Sequence, residues 1–572
     1  MIRGARRLAV TAAGLMVLAQ GPVSAADPPA LTKPVHVTKE DLNPVRTYSA
    51  PNLVADPDNP LVVVGAFADL RTRRCGLTRT VDGGRTWSIP DATPSPASYP
   101  SCNSNPRGSF QGQVAFGRDG ALYYALDGWD AQDGGINGNV SMVVSKSTDL
   151  GDTWQPVIAR DTRGRTGEAQ ESYRPITGFA VDTETGRSDT VYIGSGRRQP
   201  GFTGGDSLPV QPVVAVSTDG GKTFGEPVNL AESVFTDGAM RQNALRTATT
   251  LPGAPAPTTT VPAAGSRAAT PDQAANFGGF GPGIAVDTKG TAYAIWPATY
   301  ANLVPRPANG IMLSKSTDKG KTWTTSQVAP FDSKLGSFSS VAWSPEGGTE
   351  GTLHAVADGY ENPAVAGFQD IFYYRSTDGG RTWSERRNVT DDDPKQMFSQ
   401  FYPNLGVAPD GRVEIAFWDT RNDPGYRAND VYITTSVDNG VTWSKNTRVT
   451  DQPIDRRIGV WSTNFDITSP PGLALTRQYT MLAWDDTRNT DRTAPDAGSL
   501  GGGLQDIYVA SVQYAEIGGG TSSAARLALA GVVGLLAVGL ILVGVSMVNR
   551  RRGDGSSSPP RRTEVPAKAK VG

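Results

Sequence analysis

The chain has 572 residues, with 54 Lys and Arg against 56 Asp and Glu and a formal net charge of −2. Both signs are spread along it, which argues against a nucleic-acid-binding protein, since that class needs a clustered basic face. Two Cys and two His are too few for a Cys/His zinc centre, which gathers four such ligands in one place, and neither a metal nor a cofactor is expected. His354 lies in the strand-like run Thr352–Val356, so a core or edge histidine is the expected reading rather than a member of a catalytic triad.

Residues 1–26 read as a secretory signal. Arg3, Arg6 and Arg7 form the charged start, Leu8 to Leu18 the apolar middle, and Val23-Ser24-Ala25 a small-residue cleavage site. The folded region expected next is 27–516. Within it one pattern recurs six times. The first copy is Thr80-Val-Asp82-Gly-Gly84-Arg-Thr86-Trp87, and later copies centre on Asp149, Asp219, Asp318, Asp378 and Asp438. This is hairpin-turn chemistry. The Asp carboxylate accepts backbone N–H bonds across the turn, Gly takes the positive-φ position, and the terminal Trp or Phe packs inward. All six Asp are therefore expected to be structural.

Strand-like runs surround each copy. Around the sixth they are Leu405–Ala408, Arg412–Trp418, Asp430–Thr435 and Thr447–Thr450. Four antiparallel strands per unit make one blade of a propeller. First strands are expected at Leu53, Val114, Phe179, Ile284, Val341, Leu405 and again near Ile467, which gives seven units from six turns. Residues 247–275, rich in Thr, Pro and Ala, read as a disordered insertion. The seventh unit ends after Asp506–Ser511 with no turn motif and no fourth strand. Pro34–Thr38 resembles the fourth strands Asn388–Thr390 and Arg448–Thr450, so the N-terminal segment is expected to supply the missing strand and close the ring.

Residues 517–526 read as a linker. Leu527–Val548 is a 22-residue run without a charge, long enough at about 1.5 Å per residue to cross about 30 Å of hydrocarbon. Arg550, Arg551 and Arg552 follow it. Positive residues stay on the cytoplasmic side, so 549–572 is expected to be an inner tail, with the membrane as partner through one helix and the propeller outside. Ala530 and Gly534 form one small-xxx-small pair, expected here as ordinary residues of a span.

The recurring S/T-x-D-x-G-x-T-W/F motif resembles the Asp box, or bacterial neuraminidase repeat, of sialidase-like propellers. The resemblance covers residues 34–516. It implies an all-β β-propeller; the count of first strands makes the expected fold seven-bladed, with six blades as the alternative because the sialidases have six, closed by an N-terminal strand and followed by the one transmembrane helix read above. It also implies that any active site lies on the face opposite the boxes. Cys75 and Cys102 both map to that opposite face in an oxidising compartment, so they are expected to form a disulfide.

Three loops on that face repeat an acidic–arginine signal: Asp69-Leu-Arg71, Trp418-Asp419-Thr-Arg421 and Trp484-Asp485-Asp486-Thr-Arg488. Arg forks bind carboxylates bidentately, so these residues and Arg174 are the candidate ligand groups for an acidic glycan. The bland reading is a local Asp–Arg pair that stiffens each loop, and it weighs more. Aromatics precede each first strand at Tyr48, Phe110, Tyr173, Phe280, Phe338, Tyr402 and Phe465. Among them Tyr173, beside Glu171, and Tyr402 are the catalytic candidates. Sialidases use an Arg cluster, a Tyr nucleophile helped by Glu and an Asp acid/base. Their Arg-Ile-Pro motif is missing here, so no catalytic residue carries over. The expected function is a membrane-anchored binding or scaffold module for a carbohydrate or protein ligand, with acidic glycans as the candidate ligand class. The alternative is an exo-glycosidase of sialidase type.

Overall fold

A computed structural model describes residues 30–514 except 43–46, 70, 102–111, 130–139, 164–171, 174–175, 199–209, 232–280, 299–309, 331–334, 361–367, 394–395, 397, 459–468 and 491–503. The expected signal, the insertion, the linker, the membrane span and the tail lie outside the described residues. Among the described residues no helix is long and apolar enough to cross a membrane.

Short strands bounded by Gly- and Asp-containing turns dictate a meander, and the described strands fall into seven antiparallel sheets. The sheet around the fifth box is representative. Leu335–Ser344 pairs with Thr352–Gly359, which pairs with Asp370–Ser376, which pairs with Arg387–Asn388. The first blade has three strands, Tyr48–Ala55, Val63–Asp69 and Arg74–Thr80, with only a Arg79–Ser88 bridge where a fourth would run. The seventh-blade inner strand is Gly472–Leu475, a few residues beyond the expected Ile467, which lies outside the described residues.

The ring closes as the sequence implies. Val35 and His36 pair with Val509 and Tyr508, and Ala30 and Leu31 pair with Gln513 and Val512. His36 stacks on Tyr508 with ring centroids 4.8 Å apart, and its Nε2 lies 3.2 Å from Asp506. The other histidine, His354, is fully buried. Its Nε2 meets Ser344 Oγ at 3.0 Å and its Nδ1 meets Tyr373 Oη at 2.7 Å. Burial lowers it to about 3, so it is neutral and serves the core.

Alternating side chains on neighbouring sheets fill seven apolar clusters, and each cluster joins two consecutive blades. The box turns feed these seams. In the first box Asp82 Oδ1 accepts the N–H groups of Arg85 and Thr86 at 2.9 and 3.0 Å, and its Oδ2 accepts Thr86 Oγ1–H at 2.7 Å. Gly84 sits at φ +90° with its N–H donating to Thr80 Oγ1. The two bonds from the box threonine recur at Asp149, Asp219, Asp318, Asp378 and Asp438. Trp87, Trp154, Phe224, Trp323, Trp383 and Trp443 each pack against the cluster shared with the preceding blade.

The seam between blades six and seven has no box aromatic, and Tyr514 packs there instead. Arg412 stacks on the Tyr514 ring at 3.9 Å and donates to Glu414 Oε1 at 2.7 Å, both charged groups being buried. Its remaining N–H groups reach Asp410 and the carbonyls of Thr476 and Arg477 on blade seven.

Candidate functional site

The box turn follows the third strand of its blade, at the end where the first and second strands are joined; Ser376 pairs with Leu353 at the start of the second strand. The loops joining second to third strands therefore lie on the opposite face. They carry Asp69-Arg71 in blade one, Asp419-Arg421 in blade six and Asp486-Arg488 in blade seven.

Each loop is built the same way. The Asp carboxylate accepts the N–H of the residue two further on, an Asx turn that fixes the backbone, and then accepts the guanidinium of that same Arg. The backbone bonds are 3.1 Å at Arg71, 2.7 Å at Arg421 and 2.9 Å at Arg488. Arg71 Nε lies 3.0 Å from Asp69, Arg421 Nε 2.7 Å from Asp419, and an Arg488 terminal nitrogen 2.7 Å from Asp486. The sequence reading treats Asp485 as the ligand-side carboxylate of blade seven. Its side chain instead accepts Ser49 Oγ–H of blade one at 2.9 Å, and Asp486 takes the Arg.

A second carboxylate closes each Arg from the neighbouring blade. Asp41, which follows the closing strand of blade seven, lies 2.7 Å from Arg71. Asp391 after the outer strand of blade five lies 2.6 Å from Arg421, and Asp451 after that of blade six lies 2.8 Å from Arg488. Each guanidinium also faces a Tyr ring, at 5.5 Å from Tyr48, 4.5 Å from Tyr432 and 4.2 Å from Tyr508. Burial pushes the Asp419 carboxyl up to about 6, opposed by Arg421, which leaves it ionised at neutral pH. The three arginines thus brace consecutive blades across the ring closure. Trp418 and Trp484 point into the seam of blades six and seven, where their indole N–H groups donate to Ser469 O at 2.8 Å and Asp486 Oδ2 at 2.9 Å.

The catalytic candidates separate. Tyr173 is buried in the seam of blades two and three, while Glu171 and Arg174 lie outside the described residues. Tyr402 holds a φ of +53° and packs against Phe338 with ring centroids 4.0 Å apart and the planes tilted by 48°. Cys75 is buried at the start of its strand, and Cys102 lies outside the described residues.

Two groups escaped the sequence reading, Asp127 and Asp358. They occupy the same place at the end of second strands, in Asp127-Gly-Trp129 and Asp358-Gly-Tyr360, and this Asp-Gly-aromatic recurrence is the signal that marks them. Asp358 accepts the N–H groups of Phe338 and Tyr402 at 3.3 and 3.4 Å, and burial pushes it up to about 7. Burial also raises Asp127, which accepts the Ile176 N–H. Its Oδ1 has no partner among the described residues.

Fold and repeat together define a β-propeller built on Asp-box turns. The BNR/Asp-box repeat family model matches residues 374–385, which hold the fifth box. Solved structures resemble the chain at low identity. A protein of unknown function from Dyadobacter fermentans is 14% identical, with 85% of this chain and 99% of that one covered and a TM-score of 0.41. The Hadza microbial sialidase Hz136 is 18% identical, with 70% and 65% covered and a TM-score of 0.39. An α-L-arabinanase from Penicillium chrysogenum, complexed with arabinobiose, is 12% identical, with 68% and 94% covered and a TM-score of 0.38. No curated protein matches the chain.

Proposed function

We propose that this protein is an exported, membrane-anchored propeller that binds a carbohydrate or protein ligand on the face opposite its Asp boxes and does not hydrolyse it. The observation that carries the reading is the double closure of Arg71, Arg421 and Arg488, each on two carboxylates of the protein itself. An incoming carboxylate would have to displace one of them and leave a partly buried charge without its partner, which is costly. That disfavours capture of an acidic sugar by an Arg cluster. It favours a neutral glycan or a protein surface recognised by hydrogen bonds. Export rests on residues 1–26, and anchoring on the uncharged run 527–548 with its basic flank.

One observation favours the exo-glycosidase reading. Asp358 lies at the end of its strand on the face opposite the boxes, bonded to the Tyr402 backbone N–H, and burial raises its carboxyl to about 7, the range suited to a general acid at neutral pH. The test is incubation of the full chain with fluorogenic glycosides spanning neutral and acidic sugars, beside a glycan-binding screen. Binding without release supports the proposal. Release that disappears in Asp358→Asn or Tyr402→Phe overturns it in favour of the hydrolase.

A further inference from the structure

We infer that the Asp-box face of blades six, seven and one is a docking surface for a lipid bilayer. This rests on the reading of 527–548 as a membrane span. The position before the box Asp is Thr in four boxes, at Thr148, Thr218, Thr317 and Thr377, and Val in the other two, Val81 of blade one and Val437 of blade six. These two blades flank the one without a box. Val81 and Val437 are 57% and 55% exposed, and Val441 in the same turn as Val437 is 51% exposed. Leu61, 50% exposed, stands over the first box, where its carbonyl accepts the Gly83 N–H at 2.9 Å. Exposed large apolar side chains grouped on one face, on the turns to either side of blade seven, are the kind of feature that marks a contact surface.

The described chain ends between these turns. Tyr514, the last residue of blade seven, meets Thr435 Oγ1 at 3.0 Å, one residue before the Ser436 that opens the Val437 box. On the other side the Tyr479 hydroxyl donates to Pro60 O, next to Leu61. The uncharged run begins at Leu527, a tether of at most about 45 Å from Tyr514 when fully extended. Arg85 in the first box and Arg477 in the first turn of blade seven are exposed on the same face, as is Asp58 in the turn that carries Leu61. Asp82 and Asp438 are occupied with box hydroxyls and N–H groups. Apolar tips with flanking arginines are the composition of a surface that sits at the headgroup boundary of an anionic bilayer. The opposite face, with its three Asp–Arg braces, then points away from the membrane, toward ligands in solution.

The test uses the full chain in liposomes of phosphatidylcholine and phosphatidylserine that carry a nitroxide-labelled lipid. An environment-sensitive fluorophore is placed at V81C, V437C or, on the opposite face, R427C, with labelling of the parent protein as the background. Several-fold stronger lipid quenching at positions 81 and 437 than at 427 supports the proposal. The V81T/V437T double substitution should then abolish quenching of a reporter at L61C. Equal quenching on both faces overturns it. Quenching that follows protein concentration and persists in detergent also overturns it, since a second copy of the chain would then cover the valines. Failure of the protein to float with the liposomes defeats the anchoring itself, an outcome separable from the choice of face.

Discussion

The guanidinium of Arg412 lies 3.9 Å from the centroid of the Tyr514 ring, in the seam where no Asp box packs an aromatic between blades. Repeats elsewhere secure a seam with a local turn. Here a buried Arg from blade six reaches carbonyls of blade seven, and the last described residue covers it. Removing one member of a buried, hydrogen-bonded ion pair leaves the other without its partner. Arg412→Leu is therefore expected to cost about 3–5 kcal/mol, and the double change Arg412→Met/Glu414→Leu to recover most of that loss. Denaturant unfolding of both variants checks it; an Arg412→Leu cost within about 0.5 kcal/mol of zero, as at an ordinary surface site, would remove the seam's assigned role.

The box carboxylates contribute to the acid sensitivity of the fold. The hydroxyl and N–H of the box threonine lower Asp82, Asp149 and Asp318 to about 2. A folded pKa below the unfolded value of about 4 gives stability that is complete above about pH 4 and lost as pH falls through about 2. Thermal melts from pH 5 to pH 2 should show this loss, and Thr86→Val together with Thr322→Val should make it shallower. A loss of the same steepness in the variant would contradict the assignment.

Asp358 acts in the opposite direction. Burial raises it to about 7, so the folded state favours the neutral acid. Its contribution is complete below about pH 4 and declines as pH rises through about 7. Asp358→Asn keeps an acceptor oxygen without the charge. The melting temperature of the variant should gain on the parent between pH 5 and pH 8, and a constant difference across that range would refute the buried-acid account.

Cys75 and Cys102 are expected to pair, closing a loop whose cross-link contributes about 3 kcal/mol on chain-entropy grounds. Thiol counting in denaturant should find no free thiol before reduction and two after. Two free thiols in the unreduced protein would exclude the bond.

Much of this architecture was legible in the sequence because the Asp box is local. All the groups that make the Asp82 turn lie within seven residues, so the motif carries its own geometry. The closing strand was legible for a similar reason, since Val37-Thr38 repeats the Val-Thr of Val389-Thr390 and Val449-Thr450. The braces were only half visible. Asp419 and Arg421 are neighbours in sequence, but Asp391 meets Arg421 only because blades five and six stand side by side. The recurrence of Val-Thr-Asp at 389–391 and 449–451 was the available clue. Arg412 and Tyr514, about a hundred residues apart, share no motif, and their contact follows only from blades six and seven standing side by side.

The claim that the face arginines brace the ring rather than wait for a ligand is tested most directly by a double-mutant cycle on Arg421→Ala and Asp391→Ala, read as unfolding free energy. The brace predicts a coupling of about 1 kcal/mol or more between these residues of adjacent blades. A coupling indistinguishable from zero, with either single change weakening binding of an acidic glycan, would contradict it.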